Sequence, residues 1–335
     1  MIAALLDAAA GGDRRALARL LTIAEVGGDA ADALVADAYR RGITAHLVGI
    51  TGPPGAGKST LTAALAVELR RNGATVAILA IDPSSPETGG ALLGDRIRMS
   101  ALHGDAGAFV RSMAARGALG GLAAAAAASL AILVVAGFDF VLVETVGAGQ
   151  AEIDIAAEAD TTVVVLAPGL GDDIQALKAG ILEVADVLVV NKADRDGADR
   201  LIADLTFAAS LALPPGGNPS DGAWPVPILQ TTATTGAGVS VLLDTLSRHR
   251  RWLGTTRAGA EQRHRRAGRR ILALATQRVT RRLTEAVERT GILAGLSEAV
   301  ANRALSPPEA VERLLEAAGD YAGAIPHTAL GAGVK

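Results

Sequence analysis

At 335 residues, half of them apolar, the chain is long enough for one large α/β domain with helical additions or for two domains, and it can bury a sizeable core. Aromatics make up 2% and there are no cysteines, so that core is aliphatic and disulfides and thiolate metal sites are excluded, as suits a reducing interior. A net charge of −3 gives no global attraction to nucleic acid or anionic lipid, and the early Asp7, with no basic run before it, is unlike a signal peptide.

Residues 1–42 read as helical, their apolar faces formed by Leu5, Leu17, Leu20, Leu21, Ile23 and Leu34 and broken at Gly11-Gly12 and Gly27-Gly28. His46 to Thr51 is the first strand and Lys58 to Arg71 the first helix, which ends at Asn72-Gly73. Thr75 to Ile81 is a continuous apolar run, as expected of a strand covered on both faces, and the short link before it predicts a parallel right-handed crossover. It leads into Asp82-Pro83-Ser84-Ser85 and a polar, Gly-rich loop over residues 83–106, where a mobile switch would live. Phe109 to Ser112 reads as a short strand. Gly117 to Phe138 holds 22 residues without a charge, long enough to span a bilayer, but it is mostly Ala and Gly and lies between motif-bearing segments. It reads as a buried helix, Leu119 to about Ala136. Strands follow at Phe138–Thr145, Thr161–Ala167, Val187–Val190 and Val226–Gln230, with helices at Ile174–Glu183 and Arg200–Leu211 and a loop at Pro214–Pro225. From Val239 the chain turns helical, with a stripe of Leu272, Ala275, Val279, Leu283 and Val287. Residues 248–282 carry twelve arginines and one acid, Glu261, which reads as a solvated helix face or as an arm for subunit or partner contact. Pro307-Pro308 opens a last helix near Glu309 to Ala317.

Three motifs carry chemistry. Gly52-Pro53-Pro54-Gly55-Ala56-Gly57-Lys58-Ser59-Thr60 satisfies Gly-x-x-x-x-Gly-Lys-Ser between a strand and a helix, the setting of a phosphate-binding loop. Its glycines let successive amides turn inward onto phosphate oxygens, the helix start adds its positive dipole end, Lys58 reaches the β- and γ-phosphates, and Ser59 binds Mg²⁺. Asn191-Lys192-Ala193-Asp194 at a strand end selects the base: the Asp194 carboxylate can accept guanine N1–H and N2–H together, a pair adenine does not offer. Asn191 would touch the guanine edge and Lys192 pack its stem along the loop. Glu144-Thr145-Val146-Gly147 has the form acid-x-x-Gly, with the acid on Mg²⁺ and the Gly147 amide on the γ-phosphate. Asp82 and Asp95 are further candidates for the Mg²⁺ shell or for orienting the attacking water, and Gln150 is a candidate for the latter. The five histidines are scattered and make no metal-ligand cluster.

In one order along residues 40–255, these motifs stand with Gly94-Asp95-Arg96, Arg111 to Gly117 and Pro168-Gly169-Leu170-Gly171-Asp172-Asp173-Ile174-Gln175-Ala176-Leu177-Lys178. Together they resemble the MeaB/ArgK family of GTPases. The resemblance implies a homodimeric, cytoplasmic GTPase with a helical N-terminal extension and a C-terminal dimerisation arm. It implies a partner, an adenosylcobalamin-dependent acyl-CoA mutase of the methylmalonyl-CoA type, whose cofactor loading the GTPase gates and which it protects from inactivation. It makes Pro168 through Lys178 an additional switch, with Asp172, Gln175 and Lys178 swinging in when the mutase docks. It also sets Asp82, Asp95 and Glu144 as magnesium and switch acids. Thr232-Ala233-Thr234 holds the place of the guanine-contacting Ser-Ala loop, in an irregular setting.

The expected fold is a doubly wound, mainly parallel sheet of the P-loop GTPase kind, with a helical extension over 1–42, the GTPase domain over 43–255 and a helical arm over 256–335. The expected ligands are GTP or GDP and Mg²⁺, and neither nucleic acid nor a membrane is expected as a partner. The rival readings are a metal-insertion GTPase of the nickel type, which the missing cysteines disfavour, a phosphotransferase acting on a binding protein, and a GTP-sensing scaffold that does not hydrolyse.

Overall fold

Long apolar runs with both faces covered build the centre of the protein. The computed structural model describes residues 2–41, 45–82, 99–114, 121–145, 159–169, 184–212 and 222–322. Seven strands form one sheet: β1 (His46–Thr51), β2 (Val76–Asp82), β3 (Ala108–Ala114), β4 (Phe140–Thr145), β5 (Thr161–Leu166), β6 (Val187–Asn191) and β7 (Ile228–Thr231), in the order β3-β2-β4-β1-β5-β6-β7. Every neighbouring pair is parallel, so the mainly parallel sheet read from the sequence is parallel throughout. All residues of β1, β4, β5 and β6 are buried, which is why these segments read as unbroken apolar runs and not as alternating ones.

Helices cover both faces. On one, α4 (Lys58–Arg71) and α7 (Val239–Thr255) pack Leu61, Leu65, Leu242 and Leu246 against Val48, Ile50, Val163 and Val189 of the strands. On the other, α5 (Gly121–Val135) lies against Ala77, Leu79, Val141 and Val143, and α6 (Ala198–Ala212) sets Leu201 and Leu205 against Val164, Leu188 and Val190. The helices α1 (Ile2–Ala10), α2 (Arg14–Val26) and α3 (Gly28–Arg40) join the same apolar cluster as α5 through Leu6, Leu17, Leu20, Leu21 and Leu34. The alanine-rich α5 is therefore covered by protein, as its lack of a polar face requires. Among the described residues no helix is long and apolar enough to cross a membrane.

Element ends differ from the sequence reading by a few residues, for local reasons. The strand expected from Phe138 begins at Phe140, because the Asp139 carboxylate accepts the Thr75 amide at 2.7 Å and the Thr75 hydroxyl at 2.8 Å, ending the turn before β4. The last helix, α10 (Pro307–Ala322), starts earlier than Glu309. Ser306 and Glu309 form a capping box, with the Ser306 amide and hydroxyl donating to Glu309 Oε2 at 2.8 and 2.7 Å. The helix expected at 174–183 and residues 214–221 of the loop expected at 214–225 lie outside the described residues.

The chain divides into two compact units, residues 1–270 and 271–335. The division falls inside α8 (Arg257–Thr290). The second unit holds the rest of α8, α9 (Ile292–Ala301) and α10, with Ala286, Leu296 and Ala310 buried, while Ile271, Leu272 and Val279 are exposed.

Candidate functional site

The carboxyl ends of β1, β4, β5 and β6 bring the sequence motifs together. Between β1 and α4 the chain takes left-handed φ values at Gly52 (139°), Gly55 (81°) and Gly57 (89°), which curl residues 52–57 into a loop. At Gly52 a glycine is also required by space: a Cβ would lie 2.1 Å from the Val165 carbonyl oxygen of β5. Helix α4 then begins at Lys58 with Gly57 as its cap, a residue with no side chain to accept the first amides. Those amides and the dipole behind them are the donor set an anionic oxygen takes.

Lys58 is buried and its Nζ donates to the carbonyls of Gly52 at 2.7 Å and Pro53 at 3.0 Å, holding the ammonium against the loop. The next residue, Ser59, donates its hydroxyl to Glu144 Oε1 at the end of β4. Glu144 stands in register with Ile50 of β1 and Ala80 of β2, and both Ser59 and Glu144 are buried. A hydroxyl and a carboxylate side by side are hard oxygen donors, the type that magnesium takes. Thr145 adds a hydrogen bond to Thr51 at 3.1 Å, tying β4 to the strand that enters the loop. Asp82 closes β2, where its backbone pairs with Ala114.

Asn191, the last residue of β6, joins the loop to the end of β7 and the turn that follows it. Its Nδ2 donates to the Ala56 carbonyl at 2.9 Å, and its Oδ1 accepts from the Thr231 hydroxyl and the Ala233 amide, each at 3.1 Å. A Cβ on Gly57 would meet that Nδ2 at 2.4 Å, so the glycine also clears room for the brace. Lys192 adopts a left-handed φ of 56° and its Nζ donates to the Gly55 carbonyl at 2.7 Å, so its stem runs along the loop. Asp194 is exposed on the following turn. Thr232 is half-buried, Ala233 buried and Thr234 exposed, in a turn closed by the Thr232 amide on the Ala237 carbonyl at 3.0 Å.

The structure thus gathers Gly52 to Thr60, Glu144, Asn191 to Asp194 and Thr232 to Thr234 around the carboxyl ends of the central strands. Asp95, Gly147, Gln150, Asp172, Gln175 and Lys178 lie outside the described residues. Two residues the motifs do not name also shape the site. Thr231 bonds the Asn191 side chain, and Val165 is the wall that Gly52 touches. A threonine closing the last strand is a readable signal for the first; nothing in the sequence marks the second.

Comparison with known proteins adds the lineage. Residues 17–288 match the family described as "Methylmalonyl Co-A mutase-associated GTPase MeaB". A "Putative GTPase" of Pyrococcus horikoshii is 44% identical over 305 residues, 91% of this chain and 94% of that protein. A "Putative GTPase" of Pyrococcus abyssi is 42% identical over 320 residues, 94% of this chain and 96% of that one. A solved structure titled "Crystal structure of LAO/AO transport system kinase" superposes with a TM-score of 0.66 at 24% identity, covering 94% of this chain and 96% of that one, which bears on the fold alone. With its parallel sheet, its phosphate loop and a family match running through both, the chain belongs to the MeaB family, and it is a P-loop GTPase.

Proposed function

We propose that the chain hydrolyses GTP to GDP and phosphate with Mg²⁺, and that it does so as a chaperone that gates cofactor loading of an adenosylcobalamin-dependent acyl-CoA mutase and protects it. The family's description as mutase-associated motivates the partner. The observation that carries the nucleotide reading is the Asn191 side chain, bonded at once to Ala56 of the phosphate loop and to Ala233 of the third segment. It ties together three stretches that lie far apart in sequence, which supports reading them as one site.

In this reading the amides of Gly52 to Thr60 take the phosphates. Lys58 exchanges its two loop carbonyls for β- and γ-phosphate oxygens. Ser59 and Glu144 would hold the metal, with Asp82 and Asp95 as further candidates to hold it or to orient the attacking water; when bound it would supply charge neutralisation on the phosphate oxygens. The Ser59 hydroxyl keeps its proton on Glu144 Oε1, which leaves its oxygen lone pairs for the cation. Asp194 accepts the two guanine N–H groups, Asn191 and Lys192 hold the segment that carries it, and Thr232 to Thr234 form the far wall. Phosphoryl transfer needs positioning and charge more than a general base, so turnover is slow until the water-orienting residues are ordered. Docking of the mutase onto Pro168 to Lys178 supplies that order, with Gln150 the alternative candidate for orienting the water. Residues 1–42, 43–255 and 256–335 act as helical extension, GTPase domain and dimerising arm of a cytoplasmic homodimer.

Single-turnover GTP hydrolysis, with and without a mutase of this class, tests the proposal. The rate rises when the mutase is added, and Lys58→Ala abolishes hydrolysis in both conditions. A Lys58→Ala protein as fast as wild type would mean that the phosphate site has been misassigned.

A further inference from the structure

At the amino ends of the same strands lies a polar cluster that GTP hydrolysis does not use. Asp160 directly precedes β5 and Asp186 directly precedes β6. Each carboxylate takes an amide near the start of a neighbouring strand, Leu47 to Asp160 Oδ2 at 3.0 Å and Thr162 to Asp186 Oδ2 at 2.7 Å. The backbone returns both bonds, with the Asp160 amide on the Leu47 carbonyl at 2.8 Å and the Asp186 amide on the Thr162 carbonyl at 2.9 Å. Arg266 of α8 staples the pair, donating to the Asp160 carbonyl and to the Asp186 carboxylate. One turn earlier Gln262 donates to Asp186 Oδ1 at 2.8 Å, and one turn later Arg270 bonds the Tyr39 hydroxyl of α3. Residues 262, 266 and 270 are spaced by four and share one helix face, so two members of the arginine-rich run point inward.

The cluster is closed on its other sides. The Trp224 indole donates to the Asp186 carbonyl at 2.8 Å. His249 of α7 stands 3.6 Å from Asp186, and its Nδ1 lies 2.7 Å from the Thr161 hydroxyl, which is also 2.8 Å from His46 Nε2. Thr161 has one hydroxyl proton, so it can donate to at most one of the two imidazoles, and at least one ring donates to it. Between α7 and α8 a Cβ on Gly259 would sit 2.4 Å from the Trp252 carbonyl oxygen, so the helices meet at backbone contact. Segment 257–270 is therefore set by the bases of β5 and β6. The tips of those strands carry the Val165 wall and the Asn191 brace. Asp186 and Asn191 are five residues apart on one stiff strand, about 16 Å along it.

We propose that Asp186 is a positioning residue that couples the root of α8, residues 257–270, to guanine-nucleotide binding at the far end of β6. A nucleotide that fixes Asn191 fixes the strand and with it the Asp186 clasp. The clasp in turn holds the strand in place and slows nucleotide release, because such coupling is reciprocal. The inference rests on the nucleotide site assigned above.

The test uses the full-length protein and its Asp186→Asn, Arg266→Met and double variants, with Gln262→Ala as a mild change that leaves the charge pair intact. Two quantities are read: the dissociation rate of fluorescent GDP, and hydrogen exchange over 257–270 with and without GDP. GDP is expected to slow exchange in that segment of the wild type. Asp186→Asn and Arg266→Met are each expected to speed GDP release about fivefold, the low end of usual coupling. The double variant is expected to do no more than either, and Gln262→Ala to act in the same direction by less, so the idea stays testable if a charge variant fails to fold. A wild type that binds GDP but shows unchanged exchange over 257–270 overturns the coupling. So does an Asp186→Asn protein whose root exchanges faster while GDP leaves at the wild-type rate, since Asp186 is then a rivet only. A wild type that binds no guanine nucleotide overturns the site assignment itself, and the coupling with it.

Discussion

Replacing Asn191 by alanine isolates the brace on which the site is built. The side chain makes three buried hydrogen bonds, to the Ala56 carbonyl, the Thr231 hydroxyl and the Ala233 amide. At about 1 kcal/mol net for each, the substitution removes ~3 kcal/mol of stability, and more if the stranded Ala56 carbonyl and Ala233 amide find no water. For a large domain that lowers the melting temperature by roughly 6 °C. The loss falls where loop and base segment meet, so part of it reappears as lost affinity. If half of the ~3 kcal/mol is needed to hold the loop, GDP binds about tenfold more weakly. Calorimetric melting and fluorescent GDP titration of the Asn191→Ala protein read the two quantities. A variant that melts within a degree or so of wild type and binds GDP equally well would show that the three bonds brace nothing.

In the proposed site, Asp194→Asn replaces an acceptor for the guanine N–H edge by a donor, which suits the C2 carbonyl of xanthine. Competition binding should show the preference moving from GTP toward XTP by about 10⁴-fold. Gly52→Ala puts a methyl 2.1 Å from the Val165 carbonyl oxygen at a φ of 139°, and should cost about 4 kcal/mol or more, read as a collapsed melting temperature or loss of soluble protein. Burial, with the positive charges of Arg250, His249 and Arg266 adding, pushes the His46 pKa from 6.5 down to about 3. The unfolded chain therefore binds a proton there that the folded one refuses. Stability is full above pH 6.5 and falls as the pH drops toward 3, by up to about 1.4 kcal/mol per unit from this residue. Urea midpoints measured between pH 4 and 7 should depend less on pH in His46→Gln than in wild type; equal slopes would refute the assignment of a neutral buried His46.

The strands were legible because a parallel sheet covered on both faces needs apolar residues at every position, and Val187 to Val190 or Val141 to Val143 can hardly be anything else. The phosphate loop and Asn191-Lys192-Ala193-Asp194 were legible because each needs fixed residue types at fixed spacing. Glu144 comes beside Ser59 because β4 pairs with β1 in a register that sets Glu144 opposite Ile50, and the loop after β1 leads straight into the first turn of α4. The base cluster was not legible. Asp160 and Asp186 look like ordinary acids in turns, and what distinguishes them, the grip of Arg266, spans 106 and 80 residues of chain. A run of arginines carries no direction: the side chain of Arg257 is 94% exposed while that of Arg266, on the same helix, is 12% exposed. Only the packing of α8 against the strand bases separates them.

Helix α5 is thin, since most of its first two turns is alanine, and it lies between the sheet and the leading helices. Thinness has a cost for anyone hoping to trim the protein. Cutting away residues 1–42 would not uncover a tidy polar surface but a slab of methyl groups with no charged residue anywhere along it, and the shortened molecule should clump before its catalysis could be measured.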